Sequence, residues 1–595
     1  MNRPATSPNH KGSWIYFVLL MLVALAYSSP VFENIHNQGI ADWDQHFFYH
    51  EVPAKSVLEY GQLPLWNPYY SGGNALLAYP QTRIITPFFG LHLAFDTPVA
   101  LKLELFLHLA IGLIGGWVLC RYLGARSIIS LAGALIILGN GIYAHRMIGG
   151  HTWFFSQAYF PWVIYFLLRC LRDKRPVWPA ALLIALMLFE GGIYTVPHVL
   201  IYCGLIALIY AGLTRSLTPI WRMLQLVAIT CGLAAVKLLP FLDFFRRFPR
   251  HIDSTDSLSP TMLWNALTVP DIHAHPELLT NAKWAFIEYA AYIGAIPAVI
   301  AIVFFFICLA TRWRTNKLLA AAVAPGLVFV LLALGSLFPY SPWDILHHLP
   351  VFKSMHVPTR FLPGFLLALG IAFATGVTAL ELRLRQRCQD APLPAFKNHP
   401  KLATALPTAA VIALTIWTIG DITYQNRTLL EPVFRIAPLP QQAEQPFRQV
   451  LGNEVQMYAH AKANLGSIRA YEMMTFGPHA VPAESRQYRG EVHLLQGGTS
   501  AYAYWSPNVL EIDYSSPVDD ILVINQNYSP DWSSPSGHVV IDHEGLIAVY
   551  APSGDNQRIV LSYQPLSFTI GVGVSLLTIV LLGYASYRRK MKLSP

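Results

Sequence analysis

Twelve apolar runs, each close to the length of a bilayer crossing, constrain this chain more than anything else in it. A hydrocarbon core needs about 20 apolar residues per helix, with a range of roughly 17–25. The runs are Trp14–Ser29, Ala100–Cys120, Ser127–Tyr143, Phe154–Leu168, Trp178–Tyr194, Val199–Leu213, Met223–Leu239, Tyr289–Leu309, Leu318–Leu337, Phe361–Leu380, Leu402–Ile419 and Phe568–Tyr584. The fourth and sixth are the shortest. Only 12% of the 595 residues are charged and 54% are hydrophobic. A soluble domain carries about a quarter charged residues, so most of this surface is expected to meet lipid.

The basic residues set an orientation. With the N-terminus inside, the inner connections hold Arg121 and Arg126; Arg169, Arg172, Lys174 and Arg175; Arg215 and Arg222; Arg312, Arg314 and Lys317; Arg383, Arg385, Arg387 and Lys397; and Arg588, Arg589, Lys590 and Lys592. The short outer connections are poor in Lys and Arg, as the positive-inside rule requires. An error of one helix reverses that pattern downstream, so an even count near twelve is expected. The net charge of +8 therefore reads as topology, and no basic stripe suggests a nucleic-acid partner. The expected location is the inner membrane of a bacterium, with both termini cytoplasmic. The first run reads as an uncleaved helix, because Pro30-Val31-Phe32-Glu33 is a poor cleavage context. The six cysteines form no CxxC pair and fall in no outer segment, which leaves them as small apolar residues in or beside helices.

Three parts follow. Residues 1–420 form a transmembrane domain with a long first outer loop at 31–99. Residues 421–565 form an outer domain, α/β passing to β-sandwich-like. Residues 566–595 supply the last helix and a basic tail. Further outer pieces run over Phe241–Glu288 and Phe338–Arg360. In the outer domain, Val509–Tyr514, Asp520–Ile524, His538–Ile541, Leu546–Tyr550 and Arg558–Tyr563 alternate in strand fashion between Gly and Pro punctuation. Asn426 and Asn527 match the weak Asn-X-Ser/Thr pattern.

Asp42 and Asp44 follow the first span directly, in Asp42-Trp43-Asp44-Gln45-His46. Carboxylates at the far membrane surface suit a transferase that uses a lipid-anchored donor. On extended backbone both side chains face one way, and the pair is then able to hold a divalent cation through oxygen ligands. If a helix begins near Asp44, only one faces the cavity, and the pair splits into a base and a cap. A solvated turn is the bland alternative. Leu63–Gly73 follows, with Pro64 and Pro68, Trp66, Tyr69, Tyr70 and Gly72-Gly73. It reads either as a rigid wall for lipid or sugar or as part of an interfacial aromatic belt.

Cations cluster at outer helix ends: Arg146 with His145 and His151, Lys237 inside an apolar run, and Arg360 after Met355–Thr359. A charge in the membrane core costs roughly 2.5–3.5 kcal/mol on insertion scales, and snorkelling near a helix end removes most of that. Snorkelling explains any one of them. Their convergence on the acid-bearing side is what a phosphate leaving group requires, and Arg suits it through its bidentate fork. Glu190, in Glu190–Tyr194 with His198 beyond, is an intramembrane acid and so a functional suspect; pairing with Lys237 is its structural alternative.

Several segments together resemble the YfhO-like bacterial membrane proteins, a branch of the GT-C glycosyltransferase superfamily. They are Asp42–Gln45; Gly61–Pro68 with Trp66 and Asn67; Gly72-Gly73; Pro80-Gln81; Gly150-His151; Ala158–Pro161; Gly191-Gly192 with His198; Gly232–Pro240; Tyr292–Gly294; Pro358–Phe361; and Ser529–Trp532. The likeness implies a GT-C-like fold of about twelve helices and a polyprenyl-phosphate-sugar donor used on the outer face. It also implies an acid of the first outer loop as catalytic base, with Gln45, His46, Trp66, Asn67, Gln81, Glu190 and His198 as substrate contacts. At Lys237 the family pattern more often has an uncharged polar residue. The expected partners are that donor, membrane lipids and a glycan or lipid acceptor. No cofactor is implied beyond a divalent cation held by Asp42 and Asp44. With no nucleotide-binding loop, a soluble nucleotide sugar is not expected. A lipid or glycolipid flippase and a non-enzymatic envelope assembly factor are the rival readings. No internal duplication of the kind common in transporters is visible.

Overall fold

The computed structural model describes residues 13–249, 252, 255–279, 283–390, 400–440, 445–470 and 477–591. Lys397 and Lys592 lie outside them. The chain is a polytopic helical membrane protein. Among the described residues, ten helical stretches are long and apolar enough to cross a bilayer: Ser13–Phe32, Thr97–Tyr122, Ser127–Ile148, Thr152–Asp173, Thr195–Thr214, Thr218–Arg247, Ala295–Thr315, Pro358–Asp390, Leu402–Leu430 and Leu566–Met591. Two shorter apolar helices, Trp178–Phe189 and Lys317–Ala333, occupy the remaining two expected positions.

The fourth and sixth runs, the shortest in sequence, belong to longer helical stretches whose bounds hydropathy misses, and the short helices are the fifth and ninth. The fifth stops at Glu190, where Gly191 turns the chain at φ +73°, a conformation open to glycine. The ninth breaks at Pro325, which begins a second helical piece because it has no N–H to continue the first. The fourth run is extended at its start by a 3₁₀ segment, Thr152–Tyr159. The sixth begins early, at Thr195.

Contacts define two ends of the bundle. At one end Arg126 pairs with Glu381, Tyr122 donates to Asp173 at 3.0 Å, and Arg589 donates to the Lys174 carbonyl at 2.9 Å. The other end carries the first loop and the β-module. The last helix returns along Thr218–Arg247. There Ser575 donates to the Leu233 carbonyl and accepts from the Val236 N–H, both at 3.0 Å. A Cβ on Gly571 would lie 2.5 Å from the Ala235 carbonyl oxygen, so this contact needs a glycine.

The module pairs two antiparallel four-stranded sheets. One orders its strands as Val540–His543, Leu546–Ala551, Asp520–Asn527, Val492–Leu494. The other orders them as Thr499–Trp505, Val509–Ser516, Gly554–Tyr563, Trp532–Ser533. Alternating residues Leu510, Ile512, Leu522, Ile524, Ile547, Val549, Ile559 and Leu561 meet in a buried core. Trp66 of the first loop enters that core. Its indole donates to Gln526 Oε1 at 2.8 Å, and its ring lies 4.8 Å from Tyr563 and 5.6 Å from Trp532.

The Leu63–Gly73 stretch is therefore a docking segment for the module. Asn527 Nδ2 donates to the carbonyls of Ser71 (2.7 Å) and Gly73 (3.0 Å), while its Oδ1 accepts from the His479 N–H at 2.9 Å. Gln449 Nε2 donates to the Pro68 carbonyl at 3.0 Å. Gly73 sits at φ +113°, and a Cβ there would lie 2.7 Å from the Trp66 ring. Asn527 is thus consumed inside the fold. Asn426 is likewise buried, in the helix Pro400–Leu430, so neither Asn-X-Ser/Thr match is an exposed acceptor.

Asn527→Ala orphans two buried carbonyls and one N–H, each worth about 1–3 kcal/mol. We expect a lower midpoint for thermal unfolding in detergent and faster proteolysis across 63–73. An unchanged midpoint would show that this seam carries no load.

Candidate functional site

A cavity of about 720 Å³ opens at the module-bearing end of the bundle. The helix Trp43–Leu58 starts at its edge. Asp42 occupies the N-cap position without capping its own helix, and Ala41 before it has φ +55°. Two residues on a helix point about 200° apart, and the acids separate accordingly. Asp42 lines the cavity. Asp44 turns to the module, where its Oδ2 accepts from the Met457 N–H at 2.9 Å and caps the short helix Met457–Lys462. Burial pushes the Asp44 carboxyl up to about 6, against the backbone N–H groups of Met457 and Tyr458 that pull it down. The reading of the two acids as one divalent-cation site is corrected: the helix start sends their oxygens to different partners.

A glycine turn brings the partner of Asp42. Gly150 has φ +79°, and a Cβ on it would fall 2.7 Å from the Trp43 nitrogen. The Trp43 indole donates to the Met147 carbonyl at 2.8 Å, which locks the approach. His151 Nε2 then lies 3.4 Å from Asp42 Oδ2. Its Nδ1 lies 3.2 Å from Arg146 Nη1. A guanidinium only donates, so Nδ1 is the acceptor and Nε2 carries the proton toward Asp42. Burial lowers the His151 ring below the ordinary histidine value despite the Asp42 hydrogen bond, which leaves it neutral near pH 7. His46 accepts from or donates to Thr152 Oγ1 at 2.8 Å. Burial lowers it to about 3 against the pull of Asp42.

Glu288 completes the charge pattern. Arg360 grips it bidentately, Nε to Oε2 at 3.1 Å and Nη2 to Oε1 at 2.5 Å. Arg146 pairs with its Oε2 as well. Burial works to raise the Glu288 carboxyl, but Arg146 and Arg360 outweigh it and hold it far below the carboxylate range. Two guanidinium groups around one carboxylate leave one net positive charge facing Asp42. The Arg360 guanidinium also lies over the Tyr194 ring at 4.4 Å and the Trp153 ring at 5.1 Å. Val357, three residues before it, holds φ +62°. That is a rare conformation for a β-branched residue, and it precedes the turn that aims Arg360.

Of the residues expected from the sequence, Asp42, Gln45, His46, Gln81, His151 and Arg360 line this cavity. Gln45 donates to Tyr49 at 2.5 Å. Gln81 Oε1 is buried with no hydrogen-bond partner among the described residues. Arg146 stands behind the lining, bonded to His151 and Glu288. Lys237 is elsewhere: its ammonium is spent on the carbonyls of Pro80 and Thr82, which answers its insertion cost without a phosphate. Glu190 pairs with Arg83 rather than Lys237. His198 packs on Phe361 at 4.0 Å, Asn67 accepts from the Tyr69 N–H at 3.0 Å, and Trp66 belongs to the module seam. None of these five lines the cavity.

Glu288, Trp153, Tyr194 and His356 join the lining beyond that list. An acid at the mouth of the Tyr289–Leu309 run was the available signal for Glu288. Behind the cavity, a second buried cluster sets Arg83 between Glu104 and Glu190. His92 Nε2 lies 2.7 Å from Glu104, and His50 lies 3.3 Å from Arg83. Histidines and acids there have metal-ligand proximity, but Arg83 already supplies the positive charge, so the group reads as an ionic pillar.

No protein-family model matches the chain, and no curated protein matches it in sequence. Among solved structures, it is similar to the cryo-electron-microscopy structure of the arabinofuranosyltransferase AftD from Mycobacteria, at 16% identity and a TM-score of 0.43. The match covers 71% of this chain and 27% of that one, so the chain spans little more than a quarter of that protein's length.

Removing one partner of a buried ionic group costs about 3–5 kcal/mol. Glu288→Gln, which leaves Arg146 and Arg360 facing each other, should therefore cut stability sharply in detergent melts. Glu288→Gln with Arg146→Met should recover part of the loss.

Asp44 gives a pH prediction. Its folded carboxyl holds a proton more tightly than the ordinary value of 3.8. Its contribution is thus full below that value and is lost as pH rises through about 6. Asp44→Asn keeps an acceptor for the Met457 N–H. Its stability relative to wild type should climb between pH 4 and 7, and a pH-independent difference would refute the burial argument.

Proposed function

We propose that the protein is a membrane glycosyltransferase of the GT-C type, moving a sugar from a polyprenyl-phosphate donor to an acceptor hydroxyl on the outer face of a bacterial plasma membrane. One observation carries the reading: the Asp42 carboxylate and the Arg360 guanidinium line the same membrane-edge cavity, and Glu288, also in the lining, is shared between Arg360 and an Arg146 that stands behind it. Its volume of about 720 Å³ lies within the range of small-molecule sites.

In this reading Asp42 is the general base. It takes the proton of the acceptor hydroxyl as the oxygen attacks the anomeric carbon. The bond from that carbon to the phosphate oxygen breaks, and the departing phosphate carries its electron pair toward Arg360. Preset positive charge there stabilises what develops in the transition state. His151 holds the Asp42 carboxylate through Nε2–H, with its own ring held by Arg146. Attack from the face opposite the phosphate inverts the anomeric centre. Gln81, whose buried oxygen has no partner among the described residues, suits a sugar hydroxyl.

Asp42→Asn should lower turnover about 10²–10⁴-fold, the usual worth of a general base. The melting temperature and the binding of polyprenyl phosphate should be kept. Asp44→Asn should retain turnover. An assembly factor tolerates both changes, and a flippase loses neither glycan product. Mass spectra of lipid-linked and surface glycans from cells with and without the protein supply the readout. An unchanged glycan profile would sink the transferase reading.

A further inference from the structure

A notch of about 210 Å³ lies at the end of the bundle opposite the module, between the helices Ala295–Thr315 and Leu362–Asp390. Within it the two helices meet tightly: any Cβ on Gly376 would overlap the Phe304 ring. Its apolar walls open to the hydrocarbon, since Ile307 is 45% exposed and Leu380 44% exposed. In a membrane-spanning chain such apolar surface meets lipid tails rather than water. Arg312 and Arg383 line the same notch, one from each helix.

Neither guanidinium makes an ion pair or a hydrogen bond among the described residues. The nearest acid along the second helix is Glu381, two residues before Arg383, and two residues on a helix point about 200° apart. Glu381 is buried against Arg126 and accepts from Thr408 Oγ1 at 2.8 Å. The hydroxyls of Thr311 and Thr375, also in the lining, donate to the carbonyls of Ile307 and Ile371, both at 2.7 Å. A hydroxyl that donates keeps its capacity to accept. The notch thus combines two cationic donors, two hydroxyl acceptors and an apolar trough.

We infer that this notch binds phosphatidylglycerol from the leaflet at the basic end of the bundle, with the phosphodiester between Arg312 and Arg383 and an acyl chain along Ile307 and Leu380. A guanidinium offers a phosphate two parallel hydrogen bonds, and the glycerol headgroup supplies hydroxyl donors for the two threonines. Phosphatidylethanolamine brings an ammonium to a place that already holds two positive charges. Basic pockets between membrane helices are a recurrent form of anionic-headgroup site. Snorkelling to any headgroup serves each arginine singly, but it does not call for two helices to place their cations in one cavity. The site is separate from the polar cavity and does not rest on the proposed reaction. Both helices reach that cavity at their other ends, through Arg360 in the stretch Pro358–Asp390 and Glu288 just before Ala295–Thr315. A lipid seated here braces the pair that carries the Arg360–Glu288 bridge.

Photolabelling of the full chain in detergent tests this. The probe is phosphatidylglycerol carrying a diazirine in the first part of one acyl chain. Label should fall on peptides holding Phe304–Thr315 and Ala372–Arg383. Unlabelled phosphatidylglycerol should displace it, and excess phosphatidylethanolamine should not. Arg312→Gln with Arg383→Gln should weaken phosphatidylglycerol binding about tenfold or more, the loss expected when two cations leave an anionic headgroup. Arg385→Gln with Arg387→Gln, on the same helix but outside the notch, should leave binding within about twofold. Should the first double variant fail to fold, labelling and displacement on the wild type decide. Phosphatidylglycerol should also raise the melting temperature more than phosphatidylethanolamine does.

Label spread over other helices, equal displacement by phosphatidylethanolamine, or undiminished binding by the Arg312 and Arg383 double variant overturns the inference in favour of a general lipid annulus. Displacement by polyprenyl phosphate ahead of phosphatidylglycerol assigns the notch to another lipid and overturns it too. None of these outcomes touches the reading of the polar cavity.

Discussion

A cation at the edge of a bilayer must be met by carbonyls or carboxylates, and the buried cations at the module-bearing end are met in ways that pin the first loop. Lys102 draws in the carbonyls of Asn34, Ile35 and Asn37 at 2.7–2.8 Å. Lys237 does the same for Pro80 and Thr82. Arg83, from the same loop, reaches into the bundle to Glu104 and Glu190. An unpaired charge there costs several kcal/mol, so each contact acts as a clamp. The loop that carries Asp42 is therefore held at several points by groups that have no better place to go.

The same demand shapes the cavity. Arg146 and Arg360 share one carboxylate, so one positive charge is in excess, and of the two only Arg360 reaches the cavity lining. The position of Arg360 over Trp153 and Tyr194 holds its guanidinium plane without cancelling its charge, since an aromatic face attracts a cation at about 0.5–2 kcal/mol. Asp42 sits across from this excess and is tied to it through His151. A carboxylate and a guanidinium thus belong to one chain of contacts, Arg146 to His151 to Asp42, and their separation is set by side-chain lengths.

Much of the helical plan was legible in the sequence, because a bilayer imposes a length and a sign rule that short motifs do not. The two failures of length have local causes: Gly191 and Pro325 end helices that hydropathy alone extends. The strand module was legible where alternation was clean. Thr499–Trp505 was missed, since its alternation is only between exposed and half-buried positions and none of its residues is buried. In the site, Asp42 and Arg360 were legible as charges at helix ends. Glu104 was not, although the rule that singled out Glu190 applies equally to an acid inside Ala100–Cys120. The Trp66 motif was assigned to substrate because sequence shows an aromatic but not its neighbour. A ring that serves a sugar and one that fills a sandwich core look alike until Gln526 and Tyr563 are beside it.

The divergence of Asp42 and Asp44 carries the last step. They are two residues apart, and a helix that begins between them sends one to the cavity and the other to the module. The helix start is fixed from the bundle side by Gly150 against the Trp43 backbone and by the Trp43 indole on Met147. It is fixed from the module side by the Met457 N–H on Asp44. The module has a second attachment through Asn527 and Trp66 on the 63–73 stretch, at the far end of the same loop. Any shift of the module relative to the bundle must therefore move or break the first turn of Trp43–Leu58, the turn that aims Asp42. The β-domain is mechanically part of the site even though none of its strands lines the cavity.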